Sequence, residues 1–507
     1  MHEYFDNSLR EYYKALCFSG IYSSAHRYGY SGKLAGAMYA IGEIRDAIPV
    51  IHGSSGCGFH YRYVCRRDYL PVYNAQCTEL EEKDIVFGGA DKLRSTILET
   101  ARRHSPAMIA VIPSTSVDMI HDEMNNVVES LRGRVGCRLV ALKSEKFSHA
   151  DKRDRKKILE QRAKNWDNPD FKGDFDFKGC GFVEAMKAMV GQVMEKQEVE
   201  KNAVNICGLA WGAGGSAITA GMAGELKELG IGVNAYLPNC TTREVVEAPR
   251  AELNIVTRRI QWAEKMEGLF GTAFFHINSF DYYRGLDGIE RLYLKISEAL
   301  DARRDISKLL SEKKRRAREA LKPAKEYLKG FCFALYTSAY RDAPHKIIKY
   351  EEDFGISLKY VCVEMRRESL ELDRVSGDDE KALVKNIRDA LAKTGSKAQL
   401  LVNAAPEALG EAFGGVDYVI GGGELGFKPG RIRYVQEAGH IMPLDFQGFG
   451  RAVADFARRV KKAPFHDGLI IEKFKYQPGH YPMLKNSNLD GARRMWESMW
   501  LQRGCGG

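Results

Sequence analysis

Short runs of β-branched and aliphatic residues recur along this chain, and most are followed by a stretch whose apolar residues fall at helical spacing. Candidate strands occupy 108–112, 138–142, 204–209, 232–237, 273–277, 331–336, 358–364, 399–403 and 416–420. Between them, 182–195 is representative: Phe182, Met186, Met189, Val190 and Val193 share one face of a helix. Alternation of this kind points to parallel sheets flanked by helices, because neighbouring parallel strands need a crossover to return the chain. Three such blocks are visible, over about 20–200, 201–300 and 330–460. Length agrees: 507 residues exceed one core, and roughly 150 residues per domain gives about three. The expected organisation is a first Rossmann-like domain over 1–200 with a charged insertion and a second over 201–329 with a linking helix. A third follows over 330–464, and a packing extension over 465–507.

Two segments interrupt the pattern. Residues 143–173 are charged and lack strand signals, which reads as a helical insertion; 291–328 reads as a long charged helix that Pro323 should break. The tail carries Pro478, Pro482, Trp496 and Trp500 and is expected to pack over the body. No apolar run approaches the ~20 residues of a membrane span. Residues 1–10 lack an apolar signal core, so neither membrane attachment nor export is expected. Eleven cysteines, an odd count spread over a long chain, indicate a reducing, cytoplasmic setting with thiols free for metal work. The net charge of +9 is concentrated in Lys152–Lys157 (KRDRKK), Lys313–Arg318 (KKRRAR) and 458–462. Without a zinc finger, RNA-binding aromatics or a basic zipper, these runs read as solvated helix faces, and nucleic acid is not an expected partner.

Several chemistries lack their motifs. There is no GxxxxGK[ST], so ATP is not expected to bind through a P-loop. Gly212-Ala-Gly214-Gly-Ser-Ala217 approaches a dinucleotide fingerprint, but the next strand ends Leu237-Pro238-Asn239 without the acidic residue that binds ribose. No GxSxG, HExxH or CxxC occurs.

The informative stretch is Pro49-Val-Ile-His52-Gly53-Ser-Ser-Gly56-Cys57-Gly58, followed by Asn74-Ala-Gln-Cys77-Thr-Glu-Leu-Glu81-Glu82-Lys83-Asp84-Ile-Val-Phe87-Gly88-Gly89. An apolar strand runs into a glycine-rich turn that presents a thiol. Glycines let backbone approach an inorganic cluster, and thiolate is the usual iron ligand. An acidic stretch then leads to an FGG turn and a helix.

HGSSGC followed by EEKDIVFGG resembles the nitrogenase component 1 superfamily. That family holds the subunits of the molybdenum-iron protein, cofactor-assembly scaffolds, protochlorophyllide reductase and other nitrogenase-like reductases. Supporting matches are Pro106-Ala-Met-Ile-Ala-Val-Ile-Pro-Ser-Thr-Ser with Asp122, Ala251-Glu-Leu-Asn254-Ile-Val, and Ala438-Gly-His440 with Gly448-Phe449. The resemblance covers roughly 20–460. It implies an α/β fold of three Rossmann-like domains with parallel sheets flanked by helices, of nitrogenase component 1 type. It also implies a subunit of an oxidoreductase that takes electrons from an ATP-dependent iron–sulfur reductase, through an iron–sulfur cluster, to a small molecule. A cofactor-assembly scaffold and a non-catalytic partner subunit are the alternatives. The implied partners are that reductase and a second component-1-like subunit or a second copy of this chain.

The chain departs from the family at its ligand positions. Of three cysteines the family commonly gives to an interfacial cluster, Cys57 matches; Ser31-Gly32-Lys33 and Thr115 stand where the others would be. The resemblance therefore implies a four-iron or a modified eight-iron cluster, with a subunit interface as one place for it. Cys77 and Cys65 are the further candidate ligands. A cofactor-ligating cysteine of the family's second domain falls at Thr257 or Arg258, while His440 matches a third-domain histidine. A second metal cofactor is thus left open. Cys180 falls where a histidine faces that cofactor, so Cys180 and His440 are candidate proton donors or ligands. Arg66, Arg67 and Lys428 are candidate cationic groups for an anionic cluster or substrate.

Overall fold

The computed structural model describes residues 33–59, 74–114, 117, 123–142, 161, 164–168, 181–208, 212–257, 260–277, 280–301, 305–337, 342–364, 377–421, 432–438, 442–463 and 465–466. These form three predominantly parallel sheets flanked by helices, the α/β class expected. They fall into two compact units, one within Tyr22–Lys322 and Gly439–Ala454, the other within Pro323–Ala438 and Asp455–Gly507.

In the first unit, strands β1 (Ala47–His52), β2 (Gln76–Cys77), β3 (Met108–Pro113) and β4 (Arg138–Ala141) pair in the order β2-β1-β3-β4, all parallel. Every residue of β3 is buried, as in a strand covered on both faces. Ile109 and Val111 point to the face where Leu93, Ile97, Val127, Val128 and Leu131 lie. Met108, Ala110 and Ile112 point to the other, with Met38, Ile41, Met186, Met189 and Val190. The period-2 alternation of β3 thus meets the helical period of its neighbours on both sides. Helix Ala90–His104 places Leu93, Ile97 and Thr100 inward and carries Arg102, Arg103 and His104 in its last turn, where cations suit the helix dipole.

The same unit holds a second sheet: β5 (Glu200–Cys207), β6 (Gly232–Leu237), β7 (Ala251–Thr257) and β8 (Ala273–Ile277), in the order β6-β5-β7-β8. Helix Gly181–Gln192 is buried along most of its length and joins the core of the first sheet to Trp262, Ala263 and Met266 beside the second. An asparagine network crosses the second sheet: Asn205 donates to Asn254 at 2.8 Å and accepts from Asn234 at 2.9 Å. Buried amides of this kind persist only when partnered.

The second unit is built on β9 (Cys332–Thr337), β10 (Ser357–Val363), β11 (Gln399–Val402), β12 (Tyr418–Gly421), β13 (Ile432–Gln436) and β14 (Phe465–His466). Their order is β11-β10-β9-β12-β13-β14, and only β14 is antiparallel. Ala334, Tyr336, Cys362, Phe413 and Val419 make a core cluster against it. Tyr350, Phe354 and Phe456 form a separate ring cluster, and the Tyr350 hydroxyl accepts the Ala438 amide at 3.0 Å.

One expectation needs correction. The stretch 291–328 is two helices, Gly285–Ala299 and Ser307–Lys329, and the helix runs through Pro323 rather than breaking there. The break falls at Leu300 and Asp301, the latter left-handed at φ 45°. Ion pairs brace the second helix on both sides of the proline: Arg315 and Arg316 with Glu312, Lys322 with Glu319, and Lys329 with Glu326. They offset part of the one hydrogen bond the proline removes. The basic run Lys313–Arg318 is therefore largely ion-paired, with Lys313 on Glu225 and Glu228 and Lys314 on Asp287 and Glu290. Most of 143–173, Lys152–Lys157 and the tail 467–507 lie outside the described residues.

Candidate functional site

β1 and β2 run parallel, with Ile51 beside Cys77, so the loops at their carboxyl ends open on the same edge of the sheet. That edge is where open α/β sheets place ligands. After His52 the chain turns at Gly53 and Ser54 and enters a helical turn over 55–59 that carries Cys57. Three backbone bonds fix this turn: Thr78 N–H to Ile51 O at 3.0 Å, Leu80 N–H to Gly53 O at 2.9 Å, and Ser114 N–H to His52 O at 2.8 Å. His52 is fully buried, and its Nδ1 lies 3.1 Å from the Thr78 hydroxyl, which also accepts the Gly53 amide at 3.0 Å.

The two thiols come together over this turn. The Cys77 Sγ lies 3.5 Å from Gly53 O and 3.4 Å from Ser54 O, positions where its S–H donates. The Ser54 hydroxyl lies 3.7 Å from Cys57 Sγ. Both cysteines are half-buried and pack against the main core. Burial pushes the Cys77 thiol above its ordinary value; the backbone amides of Glu79 and Gly58 pull it down, and the Cys57 thiol adds to the rise.

Gly53 is required by space. A Cβ there would lie 2.3 Å from the Ser114 Oγ and 2.5 Å from its Cβ. Gly53→Ala is expected to displace the turn and cost about 1–3 kcal/mol. Gly56→Ala, whose Cβ would meet only the Ser54 Oγ at 3.8 Å, should stay within about 0.5 kcal/mol. Urea midpoints of the two variants check the contrast.

Beyond Cys77 the chain passes through Thr78, Glu79 and Leu80 into a short helix, Glu82–Phe87. The acidic stretch is thus itself helical, closed by a capping box between Glu81 and Asp84. Lys92 sits beneath it, 2.7 Å from Asp84 and 3.7 Å from Glu81, and its ammonium holds the Asp84 carboxyl below the usual range. At the tip, Val86 is 73% and Phe87 88% exposed, next to Gly88 with φ 99°. Both side chains stand outside the core.

The donor chemistry fits an iron–sulfur group in kind: two thiols at a strand-end edge and a glycine turn that lets backbone come close. In number it supplies two ligands. Among the described residues no group of three or more His, Cys, Asp or Glu side chains is arranged to hold a metal. Cys65, Arg66, Arg67, Thr115, Cys180, Arg258, Lys428 and His440 lie outside the described residues. Thr257 is buried, and its hydroxyl donates to Cys207 O at 3.0 Å, so it is committed to the end of β5. Sequence reasoning did not single out Thr78, Ser114 or Lys92 as site residues. Thr78 follows a two-residue strand too short to show a period, and Lys92 looks like any exposed helix charge.

A profile of the family described as nitrogenase component 1 type oxidoreductase matches residues 33–394. The nitrogenase iron-molybdenum cofactor biosynthesis protein NifE of Methanococcus maripaludis is 26% identical over 324 residues, 60% of this chain and 60% of that protein. The nitrogenase molybdenum-iron protein alpha chain of Clostridium pasteurianum is 26% identical over 332 residues, 62% of this chain and 56% of that protein. The chain spans about three fifths of the length of the curated relatives it matches. A solved structure of nitrogenase Cp1 superposes with a TM-score of 0.52 at 19% identity, covering 85% of this chain and 88% of that one, a likeness of fold.

Proposed function

The chain belongs to the family of nitrogenase component 1 type oxidoreductases, and from that premise we propose that it is a subunit of a nitrogenase-like reductase. It takes electrons from an ATP-dependent iron–sulfur reductase, through an iron–sulfur cluster, to reduce a small molecule. The observation that carries this reading is the convergence of Cys57 and Cys77 on the Gly53–Ser54 turn. These two cysteines would hold the cluster, with Cys65 as a further candidate ligand and the remainder supplied by a second component-1-like subunit or a second copy. When bound, the cluster supplies low-potential electron storage. The protein's part is to fix two sulfurs against a rigid sheet and keep their surroundings partly dry. The resemblance makes Cys180 and His440 the proposed proton donors or ligands, and Arg66, Arg67 and Lys428 the proposed cationic groups for an anionic cluster or substrate. ATP hydrolysis belongs to the partner, in keeping with a sequence that has no P-loop.

The reductase docks over the exposed Val86–Phe87 tip, which stands on the same segment as Cys77. Phe87→Ala is expected to weaken association with an iron-protein-type reductase about tenfold, the loss of one exposed aromatic anchor. Its folding stability should match the parent, since the side chain is 88% exposed. Binding measured with the reductase trapped in its nucleotide-bound state checks both; unchanged affinity removes the tip from the interface.

A second reading, a scaffold for cofactor assembly, is favoured by the likeness to NifE, a cofactor biosynthesis protein by name. It is also favoured by Thr257 standing at a position where the resemblance puts a cofactor-ligating cysteine. Turnover of a small substrate with reductase and ATP supports the reductase. Transfer of an intact metal cluster to an acceptor, with no turnover, supports the scaffold.

A further inference from the structure

Ser54 touches both sulfurs of the site, with a different group on each. Its carbonyl lies 3.4 Å from the Cys77 Sγ and its hydroxyl 3.7 Å from the Cys57 Sγ. The backbone accounts for the second contact. Ser54 opens the helical turn over 55–59, and the Cys57 amide donates to the Ser54 carbonyl at 3.0 Å. A serine that opens a helical turn commonly places its hydroxyl on the amide of the third residue on. Here that amide is taken by the carbonyl, and the hydroxyl lies against the sulfur of the same residue. Gly56 leaves room for it, since even an added Cβ there would stay 3.8 Å from the Ser54 Oγ. Ser54 is half-buried, whereas Ser55 beside it is exposed.

We infer that Ser54 is a positioning residue that acts through Cys57: its hydroxyl donates to the Cys57 sulfur when that sulfur binds iron, and so helps set the potential of the cluster. The inference rests on the reading of Cys57 as a ligand. In the free thiol either partner can donate. A sulfur on iron is a thiolate with no proton to give, so the hydroxyl is then the donor. The Cys77 sulfur faces the carbonyls of Gly53 and Ser54, which donate nothing. The two ligands are thus inequivalent, and the Ser54 side chain bears on Cys57. Hydrogen bonds to ligand sulfur offset the negative charge that reduction adds and raise the potential.

The test uses the full-length, iron-loaded protein purified without oxygen, as parent, Ser54→Ala, Ser54→Thr and Ser55→Ala. Redox titration followed by EPR reads the potential, and pulsed ENDOR after exchange into deuterium oxide reads exchangeable hydrogens beside the cluster. In Ser54→Ala the ratio of reduced to oxidised cluster at a fixed potential is expected to fall about fivefold, the change one net hydrogen bond carries. One deuterium coupling should disappear with it. Ser54→Thr keeps the hydroxyl and should restore most of both, while Ser55→Ala should leave both unchanged. A parent-like potential in Ser54→Ala overturns the inference, and so does a potential that moves equally in Ser54→Thr. Cys57→Ala, run alongside, keeps the two failures apart. A parent-like spectrum there removes Cys57 as a ligand and the underlying reading with it. Loss of the spectrum there, with a parent-like potential in Ser54→Ala, overturns the role of Ser54 alone.

Discussion

Replacing Cys57 and Cys77 together by alanine is expected to remove most of the iron and acid-labile sulfide from the anaerobically purified protein and to abolish its cluster EPR signal. The two thiols are the metal-binding groups the described site provides, and both sit at the carboxyl end of parallel strands. Neither single variant leaves a substitute beside the Gly53 turn, so each alone should lose the parent spectrum. Cys137→Ala is the control. Cys137 precedes β4 and so lies at the opposite, amino-terminal edge of the same sheet, where burial raises its thiol. It should keep parent iron content. A double variant with parent iron would place the metal elsewhere in the chain.

The second large effect concerns the other unit. Lys346 is nearly buried, with its ammonium 2.7 Å from Glu437 and 2.8 Å from the Thr337 hydroxyl at the end of β9. Lys346→Met would leave the Glu437 carboxylate, itself only 15% exposed, without its counter-charge. Breaking one side of such a pair costs about 3–5 kcal/mol. The double variant Lys346→Met with Glu437→Leu should recover much of that, because removing both charges removes the need to solvate either. Urea unfolding of the three variants measures it. A single variant within about 1 kcal/mol of the parent would show that the pair is hydrated.

The fold was legible where the periods were long. The run 108–112 reads as a strand and is an inner strand of the first sheet; Phe182, Met186, Met189, Val190 and Val193 read as a helix face and are all buried. Strands β2 and β14, two residues each, carry no period and exist because a neighbour pairs with them. Pro323 misled because a local rule ignores the ion pairs on either side of it. For the site, glycine spacing and a thiol pointed to the Cys57 turn. That Cys77 returns to the same turn is a matter of register between β1 and β2, which composition does not encode. That Lys92 binds the Glu79 carbonyl is less legible still, since backbone geometry leaves no residue signature.

The most direct test of electron entry is rapid-freeze EPR of the anaerobically purified protein mixed with a reduced iron-protein-type reductase, with and without MgATP. The expected result is reduction of the bound cluster within the turnover time when MgATP is present and none without it, with the effect lost in Cys57→Ala. An iron-loaded protein whose spectrum is the same with and without MgATP would contradict the assignment as a reductase subunit.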